Sequence, residues 1–320
     1  MSQAQAPSEP AHVVHRVALT DRIEYAVFRA AFIFFAALPL TVALRVGACI
    51  GELLYVVAAR ARRVALFNLQ LAFPEKSLAE RRRILRASSR NLGRLGAEFC
   101  HLPRLTAEEL PHLVTFADRP AWEHALERAG KTGMVILTGH FGNWELLAYA
   151  HGLLGHPITL VHRAMRNKVF NEAIRVVRSK AGTRAIEKRA AAKEALRVLK
   201  QHGILVVPAD QNQVFSFGVF VDFFGLAACT TPGPARLAML TGAPILPVFL
   251  VREGESGRHR VEILPDVEVA STGNREDDIR ITTQRCTAVL EDMIRRYPEQ
   301  WIWFHKRWKT RPPGEPRLYA

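Results

Sequence analysis

A chain of 320 residues, 49% hydrophobic and 23% charged, has the composition of a folded protein with a large buried core, in one big domain or two ordinary ones. Forty-four lysines and arginines against 30 aspartates and glutamates give a net charge of +14, which points to acidic partners: nucleic acid, anionic lipid headgroups or an acidic carrier protein. Four scattered cysteines, Cys49, Cys100, Cys229 and Cys286, lack metal-ligand spacing and read as reduced side chains of a cytoplasm-facing protein, not as a disulfide framework.

Residues 1–24 read as a disordered tail, polar at first, with Pro7 and Pro10 and without the basic-then-apolar order of a secretory signal. Residues 25–59 read as a hydrophobic membrane anchor or interfacial helical segment. Their centre is the uncharged run from Ala30 to Leu44, 15 residues between Arg29 and Arg45. A perpendicular span wants about 20 apolar residues, so the run is short, and Pro39 predicts a kink within it. One anchoring span, a bent segment half-sunk in one leaflet and a buried core helix all fit. Arg60, Arg62 and Arg63 follow and, by the positive-inside rule, hold the downstream part in the cytoplasm.

Residues 60–313 carry the pattern of one catalytic domain, with a short tail at 314–320. Ser77 and Glu80 form a capping box that opens a helix, and Leu78, Leu85, Leu92 and Phe99 recur along it at seven-residue spacing. The arginines between them read as a solvated or headgroup-facing side. Strands are predicted over 134–138, 158–161, 204–208 and 244–251, and helices over 143–154, 167–181 and 189–201. This alternation predicts an α/β fold with a mixed, partly parallel central sheet flanked by helices. A late helix is well marked: Asn274 can cap it, Glu276, Asp277 and Asp278 fill its first turn, Arg295 and Arg296 its last, and Pro298 ends it.

The stretch Gly139-His-Phe-Gly-Asn-Trp-Glu145 lies between the buried strand at 134–138 and the helix at 143–154. If the turn allowed by Gly139 and Gly142 brings His140 against Glu145, the result is an imidazole oriented by a carboxylate. A general base for a hydroxyl nucleophile needs that, because a lone imidazole rotates and takes either tautomer. A turn with a satisfied histidine is the alternative. Arg163, Asp210 and Gln211 also follow predicted strands, at the edge where α/β sheets collect ligands. Arg163 suits a phosphate or a developing oxyanion, and Asp210 suits pairing with it or ordering a loop. The aromatic stretch from Val219 to Gly225 reads as core or as the floor of an acyl-chain groove. In the closing segment from Pro298 to Lys309, three tryptophans interleave with Lys306, Arg307 and Lys309, which suits nucleic-acid stacking or a membrane interface where indoles and cations meet phosphates.

Four segments together, Gly139–Glu145, Ala209–Gln211, Phe223–Gly225 and Pro298–Lys309, resemble the late acyltransferases of lipid A biosynthesis, in the glycerolipid acyltransferase superfamily. The likeness runs from about Arg60 to Pro313. It implies a glycerolipid acyltransferase-like fold and an enzyme at the cytoplasmic face of a bacterial inner membrane. That enzyme would move a fatty acyl group from acyl carrier protein to a hydroxyl of a phosphorylated glycolipid, without metal or bound cofactor. His140 and Glu145 match the family's His-x4-acid catalytic pair, and Arg163 and Asp210 its further polar positions. Gln211, Lys306, Arg307 and Lys309 join them as expected substrate contacts. The sequence departs from the pattern where the arginine of 162–167 lacks a following proline and where Asn212 replaces a common acid, which leaves acceptor and acyl length open. Transfer from coenzyme A to another lipid, such as a phosphatidylinositol mannoside, fits the same motifs. A basic membrane-surface or nucleic-acid-binding protein would explain the charge but gives His140 and Glu145 no use, and no nucleic-acid fold signature is present.

Overall fold

The computed structural model describes residues 19–162, 167–187 and 191–319. In chain order these form α1 (Leu19–Ala37), α2 (Leu40–Val57), α3 (Ala59–Ala72), α4 (Leu78–His101), the single turn α5 (Leu110–Leu113), β1 (Val114–Phe116), α6 (Arg119–Thr132), β2 (Met134–Thr138) and α7 (Trp144–Leu153). Next come β3 (Ile158–His162), α8 (Lys168–Ser179), β4 (Arg184–Glu187), α9 (Ala191–Lys200), β5 (Ile204–Pro208), β6 (Val219–Phe223) and β7 (Leu226–Thr230). The chain closes through α10 (Gly233–Thr241), β8 (Ile245–Arg252), β9 (His259–Ile263) and α11 (Arg275–Arg296).

Seven strands form one sheet in the order β1-β9-β8-β2-β5-β3-β4, parallel throughout except where β9 runs against β8; β6 and β7 make a separate hairpin. The predicted α/β class and mixed sheet are therefore present. Every residue of β2 and β8 is buried, as expected of strands covered by helices on both faces, where an unbroken apolar run replaces alternation. Short β1, β4 and β9 and the hairpin escape a reading based on long apolar runs. The hairpin turns through Phe224 and Gly225, both at positive φ (56° and 74°). Their conformation is that of the two-residue turn matching strand twist, and the Phe224 ring lies under the Arg295 guanidinium.

The N-terminal helices differ from expectation. Helix starts at Leu19, inside the expected tail, and Pro39 divides the segment into two separate helices. Among the described residues, α2 alone is long and apolar enough to cross a membrane. It lies along α4 at backbone contact, because both helices lack side chains at the crossing. A Cβ on Gly47 would stand 2.5 Å from the Gly93 carbonyl oxygen, and one on Gly51 2.1 Å from that of Ser89. Glu52 then pairs with Arg86 and, at 3.9 Å, with Arg90. α1 is fastened too: Asn167 donates to the Asp21 carbonyl and the Glu24 carboxylate, Arg104 donates to the Ala36 carbonyl, and Phe28 meets Phe170 edge to face at 4.5 Å.

The C-terminal segment also turns out differently. Trp301, Trp303 and Trp308 are fully buried in the core between the sheet, α4 and α11, so they are neither a stacking surface nor an interface belt. Arg307 is buried with them; its guanidinium donates to the Cys229 carbonyl and Thr230 Oγ1 and covers the Phe223 ring at 4.9 Å. It is thereby removed from the expected substrate contacts, since no solvent reaches it. The expected tail is docked as well, with Tyr319 donating to Asn68 Oδ1 and accepting from Trp308 N. The four cysteines are free.

A buried ionic cluster joins α4 to the sheet. Glu98 takes two hydrogen bonds from Arg252, at 2.8 and 2.5 Å, lies 3.0 Å from His259 Nε2 and accepts from Asn143 Nδ2 at 2.6 Å. Burial would raise its carboxyl, but His259 and Arg252 outweigh burial and hold it at about 2. With the folded value below the unfolded one, its contribution to stability is complete above the unfolded value and is lost as pH falls toward about 2. Glu98→Gln leaves Arg252 buried and underpaired, and a denaturant melt should show a loss of about 3–5 kcal/mol; a loss below about 1 kcal/mol would mean that the cluster does not hold α4 in place.

Candidate active site

The register of β2 with β5 pairs Thr138 with Pro208, so the two strands leave the sheet side by side, and Ala209 N extends the pairing to the Thr138 carbonyl at 3.0 Å. Two residues further along, His140 and Asp210 face each other. His140 Nδ1 stands 3.0 Å from Asp210 Oδ1, while Asp210 Oδ2 accepts from the His140 backbone N–H at 3.0 Å and from Trp301 Nε1 at 2.8 Å. Gly139 permits the approach, since a Cβ there would lie 3.1 Å from Asp210 Cγ.

The loop after His140 is shaped by Gly142, at φ +57°, where a Cβ would fall 1.7 Å from the Leu250 carbonyl oxygen. Gly142 N donates to the Gln300 carbonyl, Ile302 N donates to the His140 carbonyl at 3.3 Å, and Phe141 bridges Trp301, so the loop forms a short sheet-like pairing with the C-terminal segment. Asn143 caps α7 as predicted, its Oδ1 accepting from Leu146 N at 2.9 Å, and its amide nitrogen reaches Glu98.

Glu145 sits in the first turn of α7 as predicted, but it does not meet His140. Its carboxylate turns to α8, taking Arg178 Nε at 2.9 Å and Nη2 at 2.6 Å, with Trp144 Nε1 at 3.1 Å. The turn at Gly142 starts α7 at an angle that carries Glu145 sideways, and the neighbouring strand end has already filled Nδ1 with Asp210. The carboxylate that orients the imidazole thus comes from the next strand and not from the same loop.

The electrostatics follow from these contacts. Burial opposes the imidazolium of His140, but the charge and hydrogen bond of Asp210, helped at longer range by Glu145, more than offset it, and the pKa rises. Burial alone would likewise raise Asp210, yet His140, Trp301 and the His140 N–H hold its carboxyl well below the usual carboxylate range. Gln211 lays its amide nitrogen against the ring, 3.1 Å from Nδ1 and 3.3 Å from Nε2. His305, pushed down to about 4 chiefly by burial, accepts from Asn212 N through Nε2. Lys309 is exposed, and Lys306, half-buried in the same segment, lies 5.5 Å from the Tyr319 ring. Arg163 follows the last residue of β3, next to β5, and lies outside the described residues. Among the described residues, no group of three or more His, Cys, Asp or Glu side chains is gathered to hold a metal ion.

Sequence reasoning missed Arg178, which carries no local signal, and misread Trp301, whose ring belongs to the core while its N–H belongs to the site.

An imidazole at a parallel strand end, followed by a glycine turn and a helix, is what the sequence led one to expect, but its carboxylate partner is Asp210 and not Glu145. The profile of the bacterial lipid A biosynthesis acyltransferase family matches residues 15–310. The chain belongs to that family. Similar proteins include the lipid A biosynthesis palmitoleoyltransferase of Escherichia coli (strain K12), 27% identical over 88% of this chain and 90% of the relative. The lauroyltransferase of the same strain is 26% identical over the same shares. A phosphatidylinositol mannoside acyltransferase of Mycolicibacterium smegmatis is 27% identical over 70% of this chain and 72% of its own. The chain is accordingly an acyltransferase, of a family that works in lipid A biosynthesis.

Asp210→Asn removes the main upward pull on His140. If His140 is the general base, it must be neutral to act, and the acidic limb of the kcat/KM profile should move to lower pH, with the plateau falling about 10²- to 10⁴-fold. An unmoved limb would mean that the field on His140 originates elsewhere.

Proposed function

We propose that the protein moves a fatty acyl chain from acyl carrier protein to a hydroxyl of a phosphorylated lipid A precursor, at the cytoplasmic face of the bacterial inner membrane. The observation that carries this reading is the contact between His140 Nδ1 and Asp210. With Nδ1–H committed to the carboxylate, Nε2 keeps its lone pair and acts as base. The acceptor hydroxyl displaces the Gln211 amide from the ring edge and gives its proton to Nε2 as its oxygen attacks the thioester carbonyl. When the tetrahedral intermediate collapses, the carrier thiolate leaves and takes that proton from Nε2. Asp210 stabilises the imidazolium in between, and the Glu145 carboxylate, held in place by Arg178, adds its field.

Arg163, which follows β3 in sequence, together with Lys306 and Lys309, is suited to the phosphates of acceptor or membrane. The reading that the same His140 site serves a phosphatidylinositol mannoside draws on the mycobacterial relative and would change only the acceptor.

The N-terminal helices give the membrane contact. A perpendicular α2 would draw the arginine-bearing α4 into the bilayer with it, since the glycine crossing leaves no room to separate them, and a cation at bilayer depth costs about 2.5–3.5 kcal/mol or more. α2 is therefore read as lying along one leaflet with Ile50, Leu53, Leu54 and Val57 outward. Alkaline carbonate should release the protein from membrane vesicles, whereas retention in the pellet would favour a span.

His140→Ala should cut transfer from acyl carrier protein thioesters to phosphorylated glycolipids by at least about 10²-fold with the thermal melt preserved. Near-parental turnover in that variant would remove the assignment.

A further inference from the structure

Between Gln211, whose amide touches the His140 ring, and β6, the chain makes one 3-10 turn at Phe215–Phe217. Val214, Phe215 and Phe217 stand 54%, 60% and 68% exposed. Single exposed apolar residues are ordinary, but three within four residues beside a catalytic histidine form a patch that calls for a partner.

The turn is rigidly mounted. On its N-terminal side Asn212 exchanges two hydrogen bonds with Thr310, at 3.0 and 2.9 Å, and its backbone donates to His305. Gln213 is buried, donates from its backbone to the Cys229 carbonyl and accepts from Val214 N at 3.1 Å. Within the turn Phe217 N reaches the Val214 carbonyl at 3.1 Å. On the far side Gly218 is pressed against β7, where a Cβ would fall 2.4 Å from Cys229 Sγ. The outward presentation is thus imposed by the fold. Val214 follows Gln211 by three positions, so the patch begins within about 11 Å of the residue that touches the base.

We propose that Val214, Phe215 and Phe217 form a knuckle that dips into the acyl region of a lipid leaflet. It would seat the mouth of the His140 site at headgroup level, so that a membrane-resident acceptor reaches Nε2 without leaving the bilayer. This rests on the acyl-transfer reading above. The chemistry favours a bilayer over a carrier protein as occupant: residues 211–218 carry no charge, whereas an acidic carrier is met by clustered cations. The exposed Lys309, adjacent to Thr310, supplies a cation beside the apolar tip, as suits an anionic surface.

The test uses the full chain, acyl carrier protein thioesters and a phosphorylated glycolipid acceptor, presented either in detergent micelles or in anionic phospholipid vesicles. Phe215→Ser/Phe217→Ser should keep micelle activity within about twofold and lose about tenfold or more on vesicles, and Phe215→Leu/Phe217→Leu should restore most of it. Phe217→Trp should gain fluorescence that acyl-brominated lipids in the vesicles quench beyond the parent's background. Undiminished vesicle activity overturns the proposal, as does equal loss in both formats. A raised KM for the carrier thioester in both formats overturns it in favour of carrier docking. A parent protein inactive in both formats would instead overturn the acyl-transfer reading, and the knuckle's catalytic purpose with it.

Discussion

The Asp210 carboxylate is the junction on which the site depends. Buried at the end of β5, it faces three donors from two separate parts of the chain: the His140 ring, the His140 backbone and the indole of Trp301. A buried carboxylate is costly unless its lone pairs are used, so the same contacts that keep it ionised also tie the histidine loop to the C-terminal segment. The geometry of the candidate site and C-terminal folding are then one constraint. The buried tryptophans, with Asn68 donating to the carbonyls of Trp303 and His305, extend that constraint to α3.

Around this junction the charges are layered. Glu98, Arg252, His259 and Asn143 fix where α7 begins, and Glu145 with Arg178 fixes how α8 lies against it. Neither cluster touches His140, but each sets the angle of an element that carries the loop. The packing of α7 therefore depends on polar contacts at its N-terminal end, which sharpen a position that apolar burial alone would leave loose.

Much of this was legible in the sequence, for identifiable reasons. The strands over 134–138 and 204–208 are unbroken apolar runs, Asn143 and Asn274 are caps with few alternative roles, and Gly139 and Gly142 announce a turn. The short strands at 114–116 and 184–187 are too brief for periodicity to register. The acid partner of His140 was misplaced because residues close in sequence were favoured over residues brought together by parallel register, and register is not visible without knowing which strands are neighbours. Tryptophans among cations look like an interface in one dimension; here Lys309 is exposed, Lys306 is half-buried against the Tyr319 ring and Arg307 is paired inside, while the indoles fill the core. The seven-residue leucine stripe gave only part of the buried surface of α4, because its other contact is made by glycine and backbone, which no hydrophobic pattern records.

The glycine crossing between α2 and α4 changes what kind of object the N-terminal segment is. A tether can be clipped off or exchanged for any other greasy helix of the right length. A wall cannot, because its removal would uncover a strip of bare main chain at Gly93 and Ser89 that only another side-chain-free helix fits. The part of the molecule that looks most like an accessory is on this geometry structural, and a soluble version would have to keep the helix and repaint only its outer face.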